Sequence, residues 1–165
     1  VSHSVNRLDI AFLAGFDQVN QPVFENLTVE LLNADTEEVR LLKSPLLTRN
    51  LAAGDKIRPT NPERGEYDLI ERSGNLSIRV FCRGELDSLA NTLTPEIEKL
   101  GGSLDLQTER ALVYTIHFSI GFKQIEEIFN DACDAFDESM WLYGNVYEDK
   151  DGKTPLGWWT DQQEI

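Results

Sequence analysis

The stretch ALVYTIHFSIGFKQIEEIFNDACDAFDESMWLYGNVYE, residues 111–148, changes period twice, and the fold turns on those changes. Its first nine residues alternate like a strand. Leu112, Tyr114, Ile116 and Phe118 share one side; Val113, Thr115 and His117 share the other. In the middle, Ile125, Ile128, Phe129, Ala132, Cys133 and Phe136 form one apolar stripe at helical spacing, with Glu126, Glu127, Asp131, Asp134 and Glu138 outside it. The end, WLYGNVYE (141–148), alternates again and predicts a last strand.

Working outward, SLDLQTE (103–109) is a short strand with Leu104 and Leu106 inward, joined to the next by a turn at Glu109-Arg110. Before it, Leu86, Leu89, Leu93, Ile97 and Leu100 recur at spacings of three and four and predict a helix that stops at Gly101-Gly102. Pro95 interrupts the pattern, and Thr94 is placed to cap a second segment, so a kink or break is expected there. LSIRVFC (76–82) alternates, with Leu76, Ile78, Val80 and Cys82 opposite Ser77, Arg79 and Phe81. Strand, helix, strand, strand, helix, strand is the order of a ferredoxin-like split βαβ sandwich, expected over residues 76–149 with both helices on one sheet face.

Residues 1–75 read differently. LDIAFLA (8–14), LTVELLNA (27–34), EVRLLKS (39–44), AAGDKIRPT (52–60) and EYDLIERS (66–73) are short strand-like runs separated by Gly, Pro, Asn and Asp. They predict a small N-terminal antiparallel β module, a bent sheet or a barrel, packed on the sandwich. Pro59 and Pro62 cannot donate ladder bonds and are assigned to a strand end or a loop. Residues 150–165 form a tail without periodicity. The whole is α+β.

The sandwich leaves one sheet face without helices. Carrying the alternation back from Val146 puts Leu142 and Val146 on the helix side. It puts Trp141, Tyr143, Asn145 and Tyr147 on the open side with Arg79, Phe81, Val113 and His117, capped by Trp158 or Trp159. Each large ring is worth on the order of 2–3 kcal/mol when buried, so this face should be covered. The candidate covers are the β module, a second copy of the chain, the tail or a ligand.

Charge narrows the partners. The chain of 165 residues carries 29 acidic and 15 basic side chains, a net charge of −14. From Gln124 onward there are eleven acidic residues against Lys150 and Lys153 alone. Such a surface repels nucleic-acid phosphates and anionic lipid and attracts a basic protein. The sheet face also lacks the basic–aromatic pattern of an RNA-binding surface. No apolar run approaches the roughly 20 residues that span a bilayer, and VSHSVNRLDIAFLAG lacks the pattern of a secretory leader. A cytoplasmic location is expected, with Cys82 and Cys133 as reduced core thiols.

Chemistry-bearing residues are few. His117 lies inside a strand, where Tyr143 or Asp105 could assist it as a general base; a histidine bonded to a neighbour reads the same way. Asp131, Asp134, Asp137 and Glu138 do not have calcium-loop spacing, and in EDKDGK (148–153) Asp149, Asp151 and Gly152 are ordinary turn residues. They read, with Glu127, as a solvated acidic face. Two Cys and two His, scattered, give no zinc spacing, and no phosphate-binding loop, nucleophile elbow or HExxH occurs. No cofactor and no metal is expected.

SPLLTRNLAAGDKIRP (44–59), ERSGNLSIRVF (71–81), EIEKLGG (96–102) and WLYGNVYE (141–148) together resemble a family of small bacterial proteins described only as a domain of unknown function, DUF4265. The shared features are Pro45, Gly54-Asp55, Ser73-Gly74 and Arg79-Val80, and the resemblance covers residues 24–148. The glycine-rich close of the family's last strand is weak here, and the LGWW tail is additional. The resemblance implies no activity and no catalytic residue. The function expected is an interaction or regulatory role, as an immunity or inhibitor protein for a basic partner. The alternatives are a small-molecule sensor with its site between the β module and the open face, and an enzyme using His117.

Overall fold

The computed structural model describes residues 6–148 and 151–162. Asp149 and Lys150 of the EDKDGK turn lie outside them. Two antiparallel sheets organise the chain. The first contains β1 (Arg7–Phe16), β2 (Pro22–Asn33), β3 (Glu38–Leu41), β4 (Lys56–Asn61) and β5 (Glu66–Glu71), paired in chain order. It is a bent sheet and not a barrel: no ladder joins β1 to β5. The bend still brings them close, with the Leu13 amide donating to the Gly65 carbonyl at 3.0 Å and the Phe12 ring edge-on to Tyr67. Phe12, Leu27, Val29, Val39, Leu41, Leu51 and Ile57 form its core.

Pro59 lies within β4, not at its end. The reason is local: β3 pairs β4 only at Lys56 and Ile57, so the flank beyond them has no ladder for Pro59 to break. Pro62 opens a single 3-10 turn, where its missing amide costs nothing.

The second sheet contains β6 (Asn75–Cys82), β7 (Ser103–Gln107), β8 (Ala111–His117) and β9 (Ser139–Tyr143), in spatial order β7-β8-β6-β9. Between its strands run α1 (Leu86–Lys99) and α2 (Phe122–Ala135). Leu76, Ile78, Val80, Leu112, Tyr114 and Ile116 from the sheet meet Leu89, Leu93, Ile97, Ile125 and Phe129 from the helices in one core. The Tyr114 ring stands edge-on to Phe129, and its hydroxyl lies 2.7 Å from that of Thr94.

Thr94 starts no second helix, and its hydroxyl is engaged by Tyr114 instead of capping one. α1 runs unbroken through Pro95, pinned by buried Leu93 and Ile97 on either side. Gly101 then takes positive φ and ends it. In β7 the alternation fails. A bulge between Leu104 and Leu106 puts Leu104 opposite Tyr114 but Leu106 opposite Val113, so Leu106 is exposed on the open side.

The larger correction concerns β9. Its register sets Tyr143 opposite Ile78 and Trp141 opposite Val80, both helix-side residues. Trp141 and Tyr143 therefore face α2, while Met140 and Leu142 face the open side. Trp141 packs on Phe129 with ring centres 5.4 Å apart and donates to Asn130; Tyr143 donates to Glu126 and touches Phe122. Val146 is in the helix-side core as expected, yet β9 ends at Tyr143, so alternation counted back through Gly144 arrives out of phase. The tail also differs from expectation. α3 (Trp158–Gln162) brings Trp158 against Phe118 and Trp159 against Phe122, beside the helix-side core and not over the open face.

Candidate functional site

Residues 42–55, between β3 and β4, run across the open face of the second sheet and meet it mostly through polar groups. The Arg79 guanidinium donates to the Thr48 carbonyl at 2.6 Å. The Thr115 hydroxyl donates to Asp105, so the Ser44 hydroxyl, 2.5 Å away, donates to Thr115. The Asp105 carboxylate also accepts the Ser44 amide. It reaches the open face because it is the extra residue of the β7 bulge. The cover strap is itself held by Glu25 of β2, whose carboxylate accepts the amides of Leu46, Leu47 and Thr48 and the Thr48 hydroxyl.

The junction between the sheets is equally specific. Asp55, almost fully buried, accepts the amides of Ala52 and Ser73 and the Ser73 hydroxyl. Burial raises its pKa, and these bonds together with the charge of Arg72 oppose the rise. Gly54 has φ +89°, and a Cβ there would sit 2.8 Å from that of Ser73. Asp55 with Ser73, and Arg79 with Thr48, thus tie residues 42–55 to the start of the second sheet: three of the residues that carry the family resemblance lie at this seam.

At the far end of β9, the Asn145 side chain replaces a missing strand. It accepts the Ser77 amide and donates to the Asn75 carbonyl, continuing the ladder where the backbone turns away. Gly144 makes room for this, since a Cβ would collide with the Ser77 hydroxyl and crowd Arg79.

Beyond the strap the open face is not closed. A groove of about 1010 Å³ separates the β1–β2 hairpin from β9, walled by Phe16, Leu47 and Arg49 on one side and Phe81, Leu142 and Tyr147 on the other. Glu126 and Glu148 stand at its rim. Phe16 is 61% exposed, Leu47 48% and Met140, next to the groove, 54%.

Of the residues singled out from sequence, Arg79, Phe81, Trp141, Tyr143 and Tyr147 all line this groove, although the Trp141 and Tyr143 rings pack toward α2. Trp158 and Trp159 lie elsewhere; the Trp158 indole donates to the Asn145 carbonyl under the Arg72 guanidinium. His117 is exposed, bonded through Nδ1 to Ser119. Asp105 is engaged by the strap, and Tyr143 is on the opposite sheet face, so neither assists it. Burial and the Glu126 charge push the Tyr143 hydroxyl pKa up, which keeps it a donor. Glu127, Asp131, Asp134, Asp137 and Glu138 are exposed on α2 and the turn after it. Glu25 is absent from the sequence reading, Asp55 enters it only within a shared motif, Asp105 only as an assistant to His117 and Asn145 only as an open-face residue; most of their partners are distant in the chain, the near ones being Ala52, three residues before Asp55, and Ser103, two before Asp105.

No curated protein matches this chain. A crystal structure of a hypothetical protein from Neisseria gonorrhoeae superimposes with a TM-score of 0.59 at 18% identity, over 87% of this chain and 96% of that one. It shares the fold. The family model of DUF4265, a domain of unknown function, matches residues 25–140, from the carboxylate that holds the strap to the start of β9, and the chain belongs to that family.

Proposed function

We propose that this protein is a non-catalytic binding module that docks a basic protein on α2 and the turn behind it, as an immunity or inhibitor protein would. One observation carries the reading. Glu127, Asp131, Asp134, Asp137 and Glu138 are all exposed there, and none takes part in the ion pairs found among the described residues. An unneutralised carboxylate surface steers a basic partner and selects against an acidic one.

The test compares the chain with its Glu127→Lys/Asp131→Lys/Asp134→Lys variant as bait, followed by titration of the purified captured protein. A basic protein held by the parent and released by the variant is expected, with affinity falling at least about ten-fold as salt rises from about 50 to about 300 mM. Binding indifferent to both salt and the substitutions would remove this reading.

Within the same proposal, the second sheet with α1 and α2 is read as a ferredoxin-like sandwich beginning at residue 76, with the β module before it. Its support is the antiparallel order β7-β8-β6-β9, with both helices packed on one face.

A further inference from the structure

The two edges of the second sheet are built differently. β7 is bulged, and it carries Asp105 and Gln107. Bulges and charges are how proteins keep an edge from pairing with another strand. β9, SMWLY, has no charge, no proline and no bulge against β6. Its backbone polarity follows from its two flanks. The Gly144 amide bonds Ser77, and the Glu138 carbonyl bonds the Arg83 amide, so even-numbered residues of β9 pair with β6. Ser139, Trp141 and Tyr143 therefore turn their amides and carbonyls to the outer edge, and no strand pairs that edge among the described residues.

That edge borders the groove. We infer that β9 receives an extended segment of a protein partner by strand addition, a segment that alternates basic and apolar residues. The reading rests on the proposed basic partner and says how it is gripped. Alternation follows from the geometry, because successive side chains of an added strand face opposite sides of the sheet. One set would face the α2 wall, where Glu126 stands beside Tyr143 and the unpaired carboxylates continue along the helix. The other set would enter the groove against Phe81, Leu142 and exposed Leu47 and Phe16. A second copy of this chain fits poorly: pairing β9 with β9 would bring two acidic α2 surfaces together in molecules of net charge −14.

The probe is a ten-residue alternating Lys–Val peptide added to the full chain, with amide hydrogen exchange read by NMR. Protection of the Trp141 and Tyr143 amides should rise at least about ten-fold. N-methylation of alternate peptide amides on the pairing edge should abolish the effect, and a Glu–Val peptide should show none. Phe16→Ser/Leu47→Ser, both at exposed positions, should weaken binding while leaving the melting temperature within about 2 °C.

No protection at Trp141 and Tyr143 overturns strand addition. If the peptide then still binds in a salt-sensitive way and shifts α2 resonances, the basic-partner reading survives alone. Protection by the Glu–Val peptide as well would keep the edge as a docking strand and remove the basic specificity. Protection that grows with protein concentration, without peptide, would assign the edge to a second copy and overturn the inference.

Discussion

At the scale of single residues, the tightest constraints sit at the seam. Gly144 has no room for a methyl group between Ser77 and Arg79. Gly144→Ala should destabilise by about 1–3 kcal/mol, measured by urea unfolding, because both neighbours are buried and Arg79 is tied to the Thr48 carbonyl. A change within error would show that the end of β9 yields easily. Asp55 gives a pH signature. Its folded-state pKa is raised, mainly by burial, so the folded chain holds that proton more tightly than the unfolded one. The stability it contributes therefore grows as pH falls through the raised value and is lost as pH rises through it. Asp55→Asn keeps one acceptor but removes the titration. The deficit of the variant relative to the parent should widen between about pH 7 and about pH 4.5 in paired urea melts. A deficit that narrows would mean that the hydrogen bonds from Ser73 and Ala52, with the Arg72 charge, outweigh burial.

At the scale of elements, α1 carries a proline that its neighbours tolerate. An interior helical proline costs about 3 kcal/mol, offset by roughly 1 kcal/mol from the restricted unfolded chain. Pro95→Ala should therefore stabilise by up to about 2 kcal/mol in urea unfolding. A loss of stability would show instead that Pro95 sets Thr94 against Tyr114, whose hydroxyl pKa burial pushes up to about 12. For β9, Trp141→Ala should cost about 2 kcal/mol, less than a fully buried tryptophan, because the ring is only half covered where it stacks on Phe129.

Elements also show what was readable in advance. The α2 stripe and the faces of β6 and β8 follow from periodicity, because one environment acts along the whole length of each. β9 does not, because its order was counted through Gly144 and Asn145, where the backbone has already left the sheet. Leu106 was misplaced for a related reason: a single extra residue at Asp105 inverts every side chain that follows it. The groove is legible only in part: alternation places Arg79, Phe81 and Tyr147 on the face it opens from, but its other wall, from Phe16 and Leu47, is connected to them by nothing local.

At the scale of the whole molecule, charge and connection act together. A chain of net charge −14 repels itself most when compact. Raising salt from about 20 to about 500 mM should lift the melting temperature, and the Glu127→Lys/Asp131→Lys/Asp134→Lys variant should gain less from it. A larger gain in the variant would place the repulsion elsewhere. The seam through Asp55, Ser73, Arg79 and Thr48 should make both sheets melt in one step, so NMR amide signals of β2 and β8 should be lost at one temperature.

The contrast between bulged β7 and plain β9 has a consequence for misassembly. A sheet able to accept company on both flanks can propagate into a fibre. One that is blunt on one flank can join a single neighbour and then offers that neighbour's blunt side to the solvent. Errors made through this sheet should accordingly stop at pairs.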